Sequence, residues 1–93
     1  MNIYKVSQSV NNGYDTYDSF VIAAKDEVEA RNTSPSDGFW EKNQWWFLSL
    51  DGEIRKGYSS TWCDPSDCTV ELIGVADRKI TQKTIILTSF NAG

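Results

Sequence analysis

Histidine is absent from the 93-residue chain, and proline and cysteine occur only twice each. Without an imidazole there is no Ser-His or Cys-His nucleophile pair, no histidine general base and no usual zinc-enzyme ligand set. No apolar run approaches the roughly 20 residues that span a bilayer, so no membrane partner is expected. The opening MNIYKVSQSV carries no basic segment followed by an apolar stretch. No secretory leader is expected from it, and the expected compartment is a cytoplasm. Bases are also scarce: nine Lys and Arg against thirteen Asp and Glu leave a net charge of −4. That balance argues against direct nucleic-acid binding, which needs a basic face.

What the chain does contain is the make-up of a folded domain, with 40% hydrophobic and 24% charged residues. Residues 1–93 are expected to form one domain. At this length only about 60–65% of the unfolded surface is buried on folding, so the core must be small and tight. Charge is uneven. Residues 59–77 carry Asp64, Asp67, Glu71 and Asp77 with no base, and residues 78–93 carry Arg78, Lys79 and Lys83 with no acid. If these consecutive stretches form one hairpin, they lie side by side and pair. Otherwise the acids face a basic partner.

Alternation and turn chemistry predict strands over 3–8, 19–24, 45–50, 69–76 and 83–90. Asn12-Gly13 is a hairpin signal in the first connection. Asp26 with Glu29 three residues later has the form of a capping box, and Pro35 closes the helix by about Thr33. So short a helix needs tertiary packing, through Val28 and its neighbours. Residues 34–44 read as a loop. Asp51-Gly52 predicts a two-residue type I′ turn, setting Leu50 opposite Glu53, Leu48 opposite Arg55, Trp46 opposite Gly57 and Trp45 opposite Tyr58. The expected fold is α+β: one mainly antiparallel sheet of about five to six strands with one short helix on a face.

Three constellations bear on function. Cys63 and Cys68 flank Asp64-Pro65-Ser66-Asp67. With no histidine and no second cysteine pair they do not complete a metal set, and they read as two reduced thiols in a turn whose spacing permits a disulfide. Asp15 and Asp18, within Gly-Tyr-Asp-Thr-Tyr-Asp, read as a polar loop or, with Tyr17, as partner contacts. The four Trp, four Tyr and four Phe concentrate at Phe39-Trp40, Trp45-Trp46-Phe47, Tyr58 and Trp62. Trp45 and Trp46 must point to opposite faces of a strand. One fills the core; the other is covered by a loop, a partner or a second copy, and Trp and Tyr dominate binding hot spots.

The two ends of the chain add a resemblance. Ile3-Tyr4-Lys5-Val6-Ser7-Gln8, Asn12-Gly13-Tyr14-Asp15-Thr16-Tyr17-Asp18-Ser19, Val21-Ile22-Ala23-Ala24, Glu29-Ala30-Arg31 and Pro35 open it. Trp62, Pro65, Val70-Glu71-Leu72-Ile73-Gly74 and Ser89-Phe90-Asn91-Ala92-Gly93 close it. Together these resemble a family of short phage and prophage proteins, most described only as hypothetical. The resemblance implies a virus-encoded accessory protein acting in the host cell, commonly by blocking a defence system.

These readings converge on non-covalent binding rather than catalysis. The expected role is inhibition of a bacterial antiviral defence, in the manner of an anti-CRISPR, by contact with a host protein such as a nuclease or defence complex. Expected contacts are Asp15, Tyr17, Asp18, Trp40, Trp45, Trp46, Tyr58, Asp64 and Asp67. No cofactor or metal is expected, and a homodimer is compatible. The alternatives are a sponge for a nucleotide second messenger, with aromatics stacking on the base and Arg55, Lys56 or Arg78 on phosphate, and a virion or assembly component.

Overall fold

The computed structural model describes residues 1–11, 13–57 and 62–91. Strands β1 (Asn2–Ser7) and β2 (Thr16–Ala24) are followed by helix α1 (Glu27–Arg31). Three short strands come next: β3 (Phe39–Glu41), β4 (Gln44–Leu48) and β5 (Ile54–Lys56). A 3₁₀ turn at Pro65–Asp67 then leads to β6 (Thr69–Val75) and β7 (Thr84–Asn91). The fold is small, strand-rich and α+β, but it has two antiparallel sheets rather than one: four strands ordered β6-β1-β2-β7 and three ordered β3-β4-β5. Among the described residues no helix is long and apolar enough to cross a membrane.

Alternation in β1 and β2 builds the core. Tyr4, Val6, Phe20, Ile22 and Ala24 share one face, with Val6 opposite Phe20 and Tyr4 opposite Ile22. Phe20 and Ile22 are completely buried, each stabilising by about 1.5–3 kcal/mol relative to exposure. Helix α1, the small sheet and the segment entering β6 close over this face. Trp45, Trp62, Cys63, Cys68 and Ala30 complete the cluster. The Phe20 and Trp62 rings meet edge to face at 5.4 Å.

Helix α1 begins where its caps dictate. Asp26 is extended and its carboxylate accepts from the Glu29 N–H at 2.8 Å, while the Glu29 carboxylate accepts from the Lys25 N–H at 3.0 Å. The reciprocal bond thus falls one residue before the cap. Val28 does not pack on the sheet: it is 65% exposed and Ala30 is buried instead. Residues two apart on a helix lie some 200° apart, so both cannot face the core.

The middle of the chain departs most from its sequence reading. Residues 34–44 contain β3, which bonds to the end of α1 through the Trp40 N–H on the Asn32 carbonyl at 2.9 Å. Lys42 and Asn43, at φ 54° and 60°, are the two-residue turn joining β3 to β4, with Glu41 opposite Gln44. Two successive positive φ values are the mark of type I′. At Asp51-Gly52 only Gly52 (φ 85°) is left-handed. Gly52 N–H donates to the Ser49 carbonyl and Ser49 N–H to the Glu53 carbonyl, a three-residue loop with a glycine bulge.

The extra loop residue shifts the expected register by one. Leu48 faces Ile54, Phe47 faces Arg55 and Trp46 faces Lys56. Trp46 therefore does not lie over Gly57. The ring that crosses bare backbone is Phe47: a Cβ at Gly57 would stand inside it, and one at Gly38 would come within 2.5 Å of it. The expected Trp45–Tyr58 pair and the Asn12 half of the Asn12-Gly13 turn lie outside the described residues.

Strands β6 and β7 do not form a hairpin. They occupy opposite edges of the four-stranded sheet, because β1 and β2, paired with each other, fill the space between them. The acidic and basic stretches are accordingly not neighbours. No ion pair among the described residues joins Asp64, Asp67, Glu71 or Asp77 to Arg78, Lys79 or Lys83; Lys83 instead approaches Asp37 at 3.9 Å.

Candidate functional site

The register gathers the end of β1, the starts of β2 and β6 and the end of β7 at one end of the large sheet: Ser7 lies opposite both Ser19 and Thr69, and Thr16 opposite Asn91. The segments meeting there, 8–19, 62–69 and 88–91, contain Asp15, Asp18, Asp64 and Asp67 and neither lysine nor arginine. All four carboxylates are on exposed residues. Lys25, Arg78, Lys79 and Lys83 follow the opposite end, where Asn2 meets Ala24 and Val75. Acids are present there too, since Asp26, Glu27, Glu29 and Asp77 follow the same strand ends, so the opposite end is mixed in charge rather than basic.

Gln8 fixes the shape of the acidic end. The residue is 8% exposed, and its side-chain amide is fully used. Nε2 donates to the Asn11 and Tyr17 carbonyls at 2.8 and 2.7 Å, and Oε1 accepts from the Val10 and Asn11 N–H groups at 2.9 and 2.8 Å. The loop carrying Asp15 is thus wrapped around one side chain. Thr16 Oγ1 donates to the Gly13 carbonyl at 2.6 Å. Asn11 Nδ2 donates to the Trp62 carbonyl at 3.1 Å, tying the loop to the 62–68 segment.

Asp15 sits in left-handed backbone at φ 59°, a conformation that aspartate tolerates better than most residues. Asp18 is the unpaired residue where the β2–β7 register slips, between Tyr17 opposite Phe90 and Ser19 opposite Ser89. Its carboxylate accepts from Ser89 Oγ at 3.4 Å. The Tyr17 and Phe90 rings touch at 4.8 Å.

Aromatic groups not singled out from sequence join them here: Tyr14 is 80% exposed and Phe90 47%. The signal was present in Gly-Tyr-Asp-Thr-Tyr-Asp and Ser-Phe-Asn. Only the β2–β7 pairing shows that the two motifs are neighbours.

The other expected contacts divide differently. Trp45 is 3% exposed, and its indole Nε1 donates to the Cys63 carbonyl at 3.0 Å, so its ring belongs to the core. Trp40 packs edge to face on it at 5.2 Å and stays half-buried. With Asn43, Gln44, Lys56, Gly57 and Asp64 these indoles line a shallow cleft of about 270 Å³. Trp46 points to the other side of the small sheet, with its Nε1 on the Glu41 carbonyl at 2.9 Å. Tyr58 lies outside the described residues. The structure therefore brings together Asp15, Tyr17, Asp18, Asp64 and Asp67 at one end and Trp40, Trp45 and Asp64 in a cleft, and leaves Trp46 apart.

Asp64 precedes a 3₁₀ turn with Pro65 in its first position, and its side chain makes no capping bond. Among the described residues no group of three or more Cys, Asp or Glu side chains is placed to hold a metal ion. Comparison with protein-family models, with curated proteins and with solved structures finds no match.

Proposed function

We propose that the protein acts by non-covalent binding, docking its acidic, tyrosine-bearing end onto a basic surface of a host protein. The observation that carries this reading is the convergence of Asp15, Asp18, Asp64 and Asp67 with Tyr14, Tyr17 and Phe90, in segments that carry no lysine or arginine of their own. Among the described residues the one cation hydrogen-bonded to these segments is Arg31 of α1, on the Pro65 and Cys68 carbonyls. Carboxylates of one sign raise the encounter rate with a basic partner. The aromatic groups supply the desolvated centre that a tight interface needs. The Gln8 amide holds the loop in shape before any partner arrives, which lowers the ordering cost of binding.

The partner's identity, a component of a bacterial antiviral defence, rests on the phage-like motifs at the two ends of the chain. A basic nucleic-acid channel on such a component is the surface that four clustered carboxylates complement. The sponge reading has less support. Trp45 is committed to the core, and the clefts of about 560 and 580 Å³ that border Trp40 each bring in carboxylates, Asp26, Glu29 and Glu41 in one and Asp64 in the other, which oppose a phosphate. Dimerisation is not needed by the acidic-end reading.

Expression in a defence-bearing bacterium tests it. The wild-type chain should restore plating of a targeted phage, and Asp18→Lys with Asp67→Lys should remove the effect while leaving the melting temperature nearly unchanged. Full protection by the folded, charge-reversed protein would refute the docking surface. No protection in any defence-bearing host would refute the inhibitor.

A further inference from the structure

Cys63 and Cys68 stand together inside the joint between the two sheets. Their Sγ atoms are 3.5 Å apart, and both residues are almost fully buried. The backbone around them is anchored from both sides. The Cys63 carbonyl accepts from Trp45 of the small sheet at 3.0 Å, and the Cys68 and Pro65 carbonyls accept from the Arg31 guanidinium at 2.7 and 3.1 Å. We propose that this pair is a peroxide-responsive dithiol, in which Cys68 is oxidised first and Cys63 resolves it to an intramolecular disulfide.

The two sulfurs are not equivalent. Either sulfur can donate in the bond between them, and Cys68 Sγ also donates to the Asp64 carbonyl at 3.6 Å. The bond to Cys63, with the Arg31 guanidinium, holds the Cys68 thiol below its ordinary range, while that same bond and burial push Cys63 up. The buried Trp62 indole N–H, which has no partner within ordinary hydrogen-bond geometry, is directed at Cys68 and adds a smaller lowering of that thiol. A thiolate or sulfenic oxygen on Cys68 would satisfy that donor.

The chemistry balances with hydrogen peroxide as oxidant. The Cys68 thiolate attacks one peroxide oxygen, the O–O bond breaks, and the departing hydroxide takes up the proton released by Cys68, leaving water and a sulfenic acid. Cys63 sulfur then attacks Cys68 sulfur. The S–O bond breaks, and the hydroxyl leaves as water with the Cys63 proton. Two thiols lose two electrons, and one peroxide becomes two waters. Closing the sulfurs to about 2.05 Å takes place in a segment whose carbonyls hold Trp45 of the small sheet and Arg31 of α1.

The test treats the purified full chain with hydrogen peroxide. The expected result is paired loss of both thiols at about one equivalent, a mass lower by two hydrogens, a Cys63–Cys68 cross-linked peptide in the monomer, and reversal by dithiothreitol. With dimedone present, Cys63→Ser should be labelled at Cys68 about tenfold faster than Cys68→Ser is at Cys63. If a serine variant fails to fold, Cys63→Ala and Cys68→Ala replace the pair, and the wild-type peptide map decides formation of the bridge. Survival of both thiols until the chain is denatured would overturn the proposal. So would equal labelling of the two variants, or bridging only between chains.

Discussion

Single side chains decide how firmly the acidic end is held. Gln8 satisfies four backbone groups of the 10–17 loop. Gln8→Ala strips their partner and should cost about 2 kcal/mol, read as a lower midpoint in urea. It should also weaken partner capture although Gln8 itself is covered. The two buried indoles should respond unequally. Trp45→Phe leaves the Cys63 carbonyl without its donor, whereas Trp62→Phe removes an N–H that has no acceptor. The first should therefore cost more than the second, by about 1 kcal/mol in denaturant melts. None of this could be read from sequence. A glutamine after a strand, or two tryptophans in an aromatic-rich chain, give no sign of which polar atom finds a partner. The Asp26–Glu29 cap was readable, because it is set within a single turn by residues three apart.

At the scale of elements, the hairpins show where local chemistry misleads. Asp-Gly is compatible with either a two-residue type I′ turn or a three-residue loop ending in a left-handed glycine. The difference reverses every side chain of the following strand. The choice follows from Phe47, whose ring needs the bare backbones of Gly38 and Gly57. Those contacts are 9 and 10 residues away and carry no periodic signal. Gly57→Ala should overpack this site by about 1–3 kcal/mol, with partial rescue by Phe47→Leu in the same thermal melts.

The loop itself holds an ionisable group. The Asp51 carboxyl is kept below its ordinary value by the Ser49 hydroxyl first, then by the Glu53 N–H and Arg55. A lowered acid stabilises above its unfolded value and loses that contribution as pH falls through the folded one. Asp51→Asn should thus lower the melting temperature at neutral pH, and the gap to wild type should close in acid. The true type I′ turn, Lys42-Asn43, escaped notice because lysine is rarely left-handed. Lys42→Asn with Asn43→Gly should raise the melting temperature.

Over the whole molecule, the strand-rich α+β class followed from the spacing of apolar runs and turns. The division into two sheets did not. It depends on which strands pair, and the pairing of β1 with β6 and of β2 with β7 spans more than 60 residues. The same pairing turns a scattered set of aspartates into one acidic end. Sequence named Asp15, Asp18, Asp64 and Asp67 as expected contacts, while the exposed Tyr14 and Phe90 became visible beside the first two only once the strands were assembled.

That acidic end is the claim on which the functional account stands. The direct measurement is affinity capture from lysate of a defence-bearing bacterium at rising salt. It compares the wild-type chain with Asp18→Lys, Asp64→Lys and Asp67→Lys, each shown to be folded. The account predicts one defined defence component on the wild-type chain, weaker retention with each reversal and release as salt rises. Undiminished retention by all three variants, or the same retention at high salt, would contradict it.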